Sequence, residues 1–164
     1  MVAKKVCMVG AYGVGKTSLV KRFVDSIFSD KYLTTVGVKI DKKQLRVGGE
    51  DVTLMLWDLA GEDAVTEVRL SHLRGASVYV LVADGTRGSS LDTALDLQKR
   101  VRNAIGPVPF IFVVNKIDLQ EKWEIRQDSL DKLSAAGWPV FLSSAKTGAG
   151  VDELFLKVAE KSIG

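Results

Sequence analysis

Apolar positions along this chain fall into two alternating patterns. Val6-Cys7-Met8-Val9 is an unbroken apolar run of the kind a strand buried on both faces requires. Leu19, Val20, Phe23 and Val24 follow at i, i+1, i+4 and i+5, which is one face of a helix. A polar connection over 27–36 leads to two strand-like runs, about 38–47 and 52–58, joined through Gly48-Gly49. Paired glycines between such runs predict an antiparallel hairpin. After a long connection over 59–75, residues 78–83 are apolar on both faces and predict a central parallel strand. The next helix is expected to begin near Ser89 or Ser90, either of which could cap it. It turns Leu91, Leu95, Val101 and Ile105 inward and stops at Gly106-Pro107. Residues 110–114 predict another buried strand, 122–136 an amphipathic helix ended by Gly137, and 139–142 a last strand. Val151, Leu154, Phe155, Val158 and Ala159 give a helical stripe at i, i+3, i+4, i+7 and i+8.

Six strands, five of them parallel, alternate in this reading with about five helices. Right-handed crossovers then place helices on both faces of a doubly wound α/β sheet. No repeat, low-complexity tract or linker interrupts the pattern, so residues 1–164 are expected to form a single domain.

Composition changes this picture little. The chain is 46% hydrophobic and carries a net charge of +3. Its densest basic pairs are Lys4-Lys5 and Lys42-Lys43. Charge so mild and scattered argues for solvated surface and against nucleic acid as a partner. The one cysteine, Cys7, lies inside the first strand, so no disulfide can form within the chain and a reduced, cytoplasmic setting is expected. With no signal peptide, no long apolar span and no cysteine near residue 164, neither a membrane span nor a lipid anchor is expected for this sequence.

The chemistry lies at the expected strand ends. Gly10-Ala11-Tyr12-Gly13-Val14-Gly15-Lys16-Thr17 satisfies G-x-x-x-x-G-K-[ST] and sits between a strand and a helix. Backbone N–H groups over Gly13, Val14 and Gly15, continuing to Ser18 at the helix start, can turn toward a polyphosphate. Lys16 reaches the outer phosphates and the Thr17 hydroxyl can ligate Mg²⁺. Trp57-Asp58-Leu59-Ala60-Gly61 offers a carboxylate at Asp58 for Mg²⁺ through a water, and a glycine N–H for the γ-phosphate. In Asn115-Lys116-Ile117-Asp118, the Asp118 carboxylate can accept both N–H donors of the guanine Watson–Crick edge. Adenine would set an acceptor against that charge, so the pair selects against ATP. In Ser143-Ser144-Ala145-Lys146, backbone N–H at Ser144 or Ala145 can meet guanine O6, and the Lys146 stem can pack near the ring.

With these motifs in this order the chain resembles the Ras-like small GTPases over nearly all its length. Thr34-Thr35-Val36-Gly37-Val38 and the tryptophan of Trp57-Asp58 are most similar to the Rab branch. The resemblance implies the P-loop G-domain fold and GTP/GDP with Mg²⁺ as ligands. It also implies effector, exchange-factor and GTPase-activating proteins as partners. Thr35 would be the second protein ligand to Mg²⁺, Thr34 being its rival. Phe28 would stack on the base, against the alternative of a core aromatic, and Asp30 would lie near the ribose. The switches would span 29–38 and 59–75, with Lys16, Thr35, Gly61 and Glu62 as the catalytic set.

Two positions depart from the family pattern. Relatives carry glutamine after the D-x-x-G glycine to orient the attacking water, whereas this chain has Glu62 followed by Asp63. A carboxylate can accept a hydrogen bond from water but cannot donate one to the γ-phosphate, and it sets negative charge beside negative charge. Glu62 therefore reads either as a poor water-positioning group or as a solvated loop residue. Slow hydrolysis is expected, with a hydrolysis-deficient guanine-nucleotide scaffold as the alternative. Tyr12 places a bulky ring in the phosphate loop. Arg69, Arg74 and Arg87 are candidates for a cationic group acting in cis, and their spacing selects none of them.

Overall fold

The computed structural model describes residues 2–25, 39–59 and 70–164. Six strands form one sheet: β1 (Val2–Gly10), β2 (Lys39–Val47), β3 (Glu50–Asp58), β4 (Val78–Asp84), β5 (Phe110–Asn115) and β6 (Val140–Leu142). Their spatial order is β2-β3-β1-β4-β5-β6. β2 pairs antiparallel with β3, and every other pairing is parallel. The hairpin forms as expected, with Gly48 (φ 58°) and Gly49 (φ 80°) taking the left-handed turn that joins strands of this twist. Four α-helices are described: α1 (Lys16–Asp25), α2 (Gly88–Ile105), α3 (Gln127–Ala135) and α4 (Val151–Ile163). Short 3-10 helices at Leu70–Leu73 and Ile117–Lys122 complete the described elements.

Alternation along the strands divides the interior into two layers. Val6 and Met8 of β1, Val80 and Val82 of β4, and Ile111 and Val113 of β5 pack under α1 and α4 with Leu19, Phe23, Leu154 and Phe155. The intervening residues Cys7, Val9, Tyr79, Leu81, Phe112 and Val114 face α2 and α3 with Ala94, Leu97, Val101 and Leu130. Phe23 and Phe155 stack with ring centroids 4.3 Å apart and join α1 to α4. Cys7 is fully buried, and desolvation pushes its thiol up to about 12 against a small opposing effect of Lys5.

Three expectations are revised. α2 starts at Gly88, and the Ser90 hydroxyl does not cap it. That hydroxyl accepts from the Asp84 N–H (2.9 Å) and lies against the Asp84 and Arg87 carbonyls, tying the helix back to β4. The helix buries Ser90, Ala94, Leu97 and Val101, while Leu91, Leu95 and Ile105 are only half-buried. The helix expected over 122–136 does not form as one piece. Trp123 is extended (φ −67°, ψ 136°), and the N–H groups of Glu124 and Ile125 donate to Gly85 O at 2.8 and 3.1 Å. Those donors are therefore lost to a helix, and α3 begins only at Gln127.

Candidate nucleotide-binding site

Parallel register gathers the chemical groups at one edge of the sheet. Met8 of β1 lies beside Asp58 of β3, and Asp84 of β4 lies beside Asn115 of β5. The phosphate loop runs from β1 into α1, and its Val14 side chain is buried in the core as an anchor. Gly15 has φ 106°, and a Cβ there would run into the Asn115 side-chain amide, so glycine is required on both counts. Lys16 is only 6% exposed, and its ammonium donates to the carbonyls of Gly10 and Ala11, each at 3.1 Å. The side chain is thus folded along the loop rather than into solvent.

The Thr17 hydroxyl donates directly to Asp58 Oδ2. A hydroxyl and a carboxylate brought together from the starts of α1 and the end of β3, with Asp58 only 1% exposed, form an oxygen donor set suited to a hard cation such as Mg²⁺. The chemistry of the residues present fits that ion.

Asn115 joins three segments. Its Nδ2 donates to Val14 O at 3.0 Å, and its Oδ1 accepts from Ser143 Oγ at 3.2 Å and from Ala145 N at 3.1 Å. Asp118 Oδ1 accepts from Ser144 Oγ at 2.8 Å, and Ser144 Oγ in turn accepts from Thr147 N at 3.0 Å. The Ser144 N–H donates to Ala149 O at 2.8 Å. From α1, Arg22 Nε donates to Ala145 O at 2.9 Å and its Nη2 to Lys146 O. The loop after β6 is therefore held from three sides.

Lys116 is the one non-glycine residue with positive φ (74°) among the described residues, and its ammonium lies 2.8 Å from Asp84 Oδ2. Asp84 escaped the sequence reading. It is 1% exposed, Thr86 donates to its Oδ1 from both N (2.8 Å) and Oγ1 (2.7 Å), and Arg87 Nε lies 3.5 Å from Oδ2. Burial alone would raise this carboxyl, but hydrogen bonds from Lys116 and Thr86, with the Lys116 charge, outweigh it and hold the group below its ordinary value. The available signal was its position: a carboxylate immediately after an apolar run, as at the other strand ends. Of the three arginines, Arg87 reaches the phosphate loop, donating from Nη2 to Tyr12 O at 2.6 Å. Arg74 is exposed, and Arg69 lies outside the described residues.

A cavity of about 560 Å³ opens among these groups, lined by Gly13, Gly15 and Ser18 on one side and by Asn115, Lys116, Asp118, Leu119, Ala145 and Lys146 on the other. That volume lies within the roughly 300–1,000 Å³ usual for small-molecule sites. Phe28, Asp30, Thr34, Thr35, Gly61 and Glu62 lie outside the described residues, as do all of the first switch segment and residues 60–69 of the second.

A strand-glycine loop-helix at a doubly wound sheet edge, with a cavity and an oxygen donor pair beside it, defines a nucleoside-triphosphate-binding domain. The Ras family model matches residues 5–163, and the chain belongs to that family. The chain is 31% identical to the Ras-related protein Rab-13 of Bos taurus, over 94% of this chain and 77% of that protein. It is 34% identical to the Ypt/Rab-type GTPase YPT7 of Saccharomyces cerevisiae, over 97% and 81% of the two chains. With Ras-related protein Rab-21 of Mus musculus the identity is 32%, over 97% and 72%. The chain is accordingly a Rab-like, GTP-binding small GTPase that hydrolyses GTP to GDP and phosphate. Among the described residues no helix is long and apolar enough to cross a membrane.

Proposed function

We propose that the chain is a molecular switch that binds GTP and GDP with Mg²⁺, hydrolyses GTP slowly when alone, and signals to effector proteins through two switch loops. The observation that supports the base preference best is Asp118 at the lip of the cavity, its Oδ1 held by the Ser144 hydroxyl. A carboxylate fixed there accepts the paired N–H donors of guanine and repels the acceptor that adenine presents. Ala145, Lys146 and the Lys116 stem complete the base pocket, with Phe28 stacking and Asp30 near the ribose.

At the other end, the N–H groups from Gly13 to Ser18 and the Lys16 ammonium meet the phosphates. Thr17, Asp58 and Thr35 would hold Mg²⁺, which would supply charge neutralisation at the phosphates. Gly61 and Thr35 sense the γ-phosphate, so the two loops change when it leaves. Exchange factors and GTPase-activating proteins are the regulators expected from the family. Glu62 cannot donate to the γ-phosphate as glutamine does, which makes the activating protein the more important for turnover.

Single-turnover hydrolysis of Mg²⁺-loaded GTP, comparing the natural chain with Glu62→Gln, tests this reading. The glutamine chain is expected to be about tenfold faster or more. A natural chain that hydrolyses as fast would make Glu62 a working substitute and overturn the slow-turnover assignment. Tight guanine binding with no turnover in either chain would instead identify a hydrolysis-deficient scaffold. Competition by GDP but not ADP is expected throughout.

A further inference from the structure

Trp123 has no place in the chemistry above, yet three separate features converge on it. Its indole Nε1 donates to the Lys116 carbonyl at 2.9 Å. Its ring lies against Gly85 so closely that a Cβ on that residue would overlap the indole. The next two residues, Glu124 and Ile125, both donate their N–H groups to Gly85 O, while the Gly85 N–H donates to Asn115 O at 3.1 Å. These bonds close a circuit from Asn115 through Gly85 and Trp123 to Lys116, around the one described non-glycine residue held in the left-handed region.

That conformation costs an L-residue about 1–2 kcal/mol and persists only where its surroundings impose it. The Lys116 carbonyl accepts from Leu119 N at 2.9 Å as well as from Trp123, so both its lone pairs are engaged. The turn at Lys116 is what carries the chain out of β5 toward Asp118. A phenylalanine could cover Gly85 but would donate nothing. A lysine or glutamine could donate but would not cover Gly85. Tryptophan does both.

We propose that Trp123 is a positioning residue for guanine selection: by holding the Lys116 carbonyl it fixes the left-handed turn that delivers Asp118 to the edge of the base. This rests on the reading of Asp118 as the guanine acceptor. Guanine offers Asp118 donors at N1 and at the 2-amino group, and hypoxanthine lacks the second, so the preference for GDP over IDP measures how well that carboxylate is placed.

The experiment compares release of GDP and of IDP from the full chain loaded with Mg²⁺, in the natural sequence, Trp123→Phe and Trp138→Phe. Trp138 packs against Phe110 and Phe112 away from the cavity and controls for the loss of an indole from the fold. The natural chain is expected to release IDP faster than GDP. Trp123→Phe is expected to shrink that ratio roughly fivefold, the worth of one hydrogen bond. Trp138→Phe should lower the melting temperature and leave the ratio where it was.

If Trp123→Phe speeds both releases equally, Trp123 is a packing residue only and the proposal is overturned. A natural chain that does not distinguish GDP from IDP removes Asp118 as the guanine acceptor, and the role given to Trp123 goes with it. Should the phenylalanine chain fail to load nucleotide, the ratio is read with a benzothienyl isostere at position 123. Sulfur there replaces the N–H and keeps the ring shape, and the same shrinkage or its absence decides the matter.

Discussion

Asp84 shows how much of the site depends on a group outside the cavity lining, acting through Lys116, which lines it. The Asp84 carboxyl is buried, yet it remains a carboxylate because Lys116 and Thr86 supply its hydrogen bonds. Its titration in the folded protein is displaced downward from 3.8. A depressed carboxyl contributes stability that is present above the unfolded value and is lost as pH falls through the folded one. Urea unfolding between about pH 5 and 2 should therefore show an acid-side loss that Asp84→Asn removes. The same substitution leaves the Lys116 ammonium without its ion partner and should speed GDP release several-fold, read by displacement of a fluorescent GDP. An unchanged release rate would separate the ion pair from nucleotide binding. Positions set by local spacing, such as Lys16, Thr17 and Asp118, were legible in the sequence as candidates, and the fold places them at the loops that follow β1 and β5. Asp84 and Trp123 were not, because each acts on Lys116 through a contact that only the folded sheet creates.

The same division holds for elements. The hairpin at Gly48-Gly49 and the stop at Gly106 were legible because turn chemistry is local, and Gly106 does close α2 with φ 83° and a bond to Arg102 O. The stretch from Lys122 to Ile125 has helical periodicity but is drawn onto Gly85 by bonds that periodicity does not encode. α1 has a further role beyond presenting Lys16 and Thr17. Arg22 on its last turn holds the carbonyls of Ala145 and Lys146, so one helix touches both the phosphate and base ends of the cavity. Arg22→Ala should raise GDP release about tenfold by freeing the loop after β6. Arg22→Lys should recover little, since one ammonium does not reproduce the guanidinium fork. Full recovery with lysine would mean that charge alone matters there.

At the scale of the molecule, two apolar layers flank a sheet whose central strand, β1, is covered on both faces. The edge where ligand groups gather is fixed to that centre by Asn115, which bonds the phosphate loop and the last loop at once. Cys7 sits in the middle of β1, fully buried, with Sγ 3.6 Å from His72 O. Burial pushes its thiol up to about 12 and so keeps it protonated in the folded state. An alkylating reagent thus has nothing to attack until β1 leaves the sheet. Mass-detected labelling of Cys7 should be slow in the GDP-loaded protein and slow further as GDP concentration rises. Rapid labelling independent of nucleotide would show that β1 opens locally. The chain carries in this one sulfur an intrinsic clock for its own global opening, readable without any added dye.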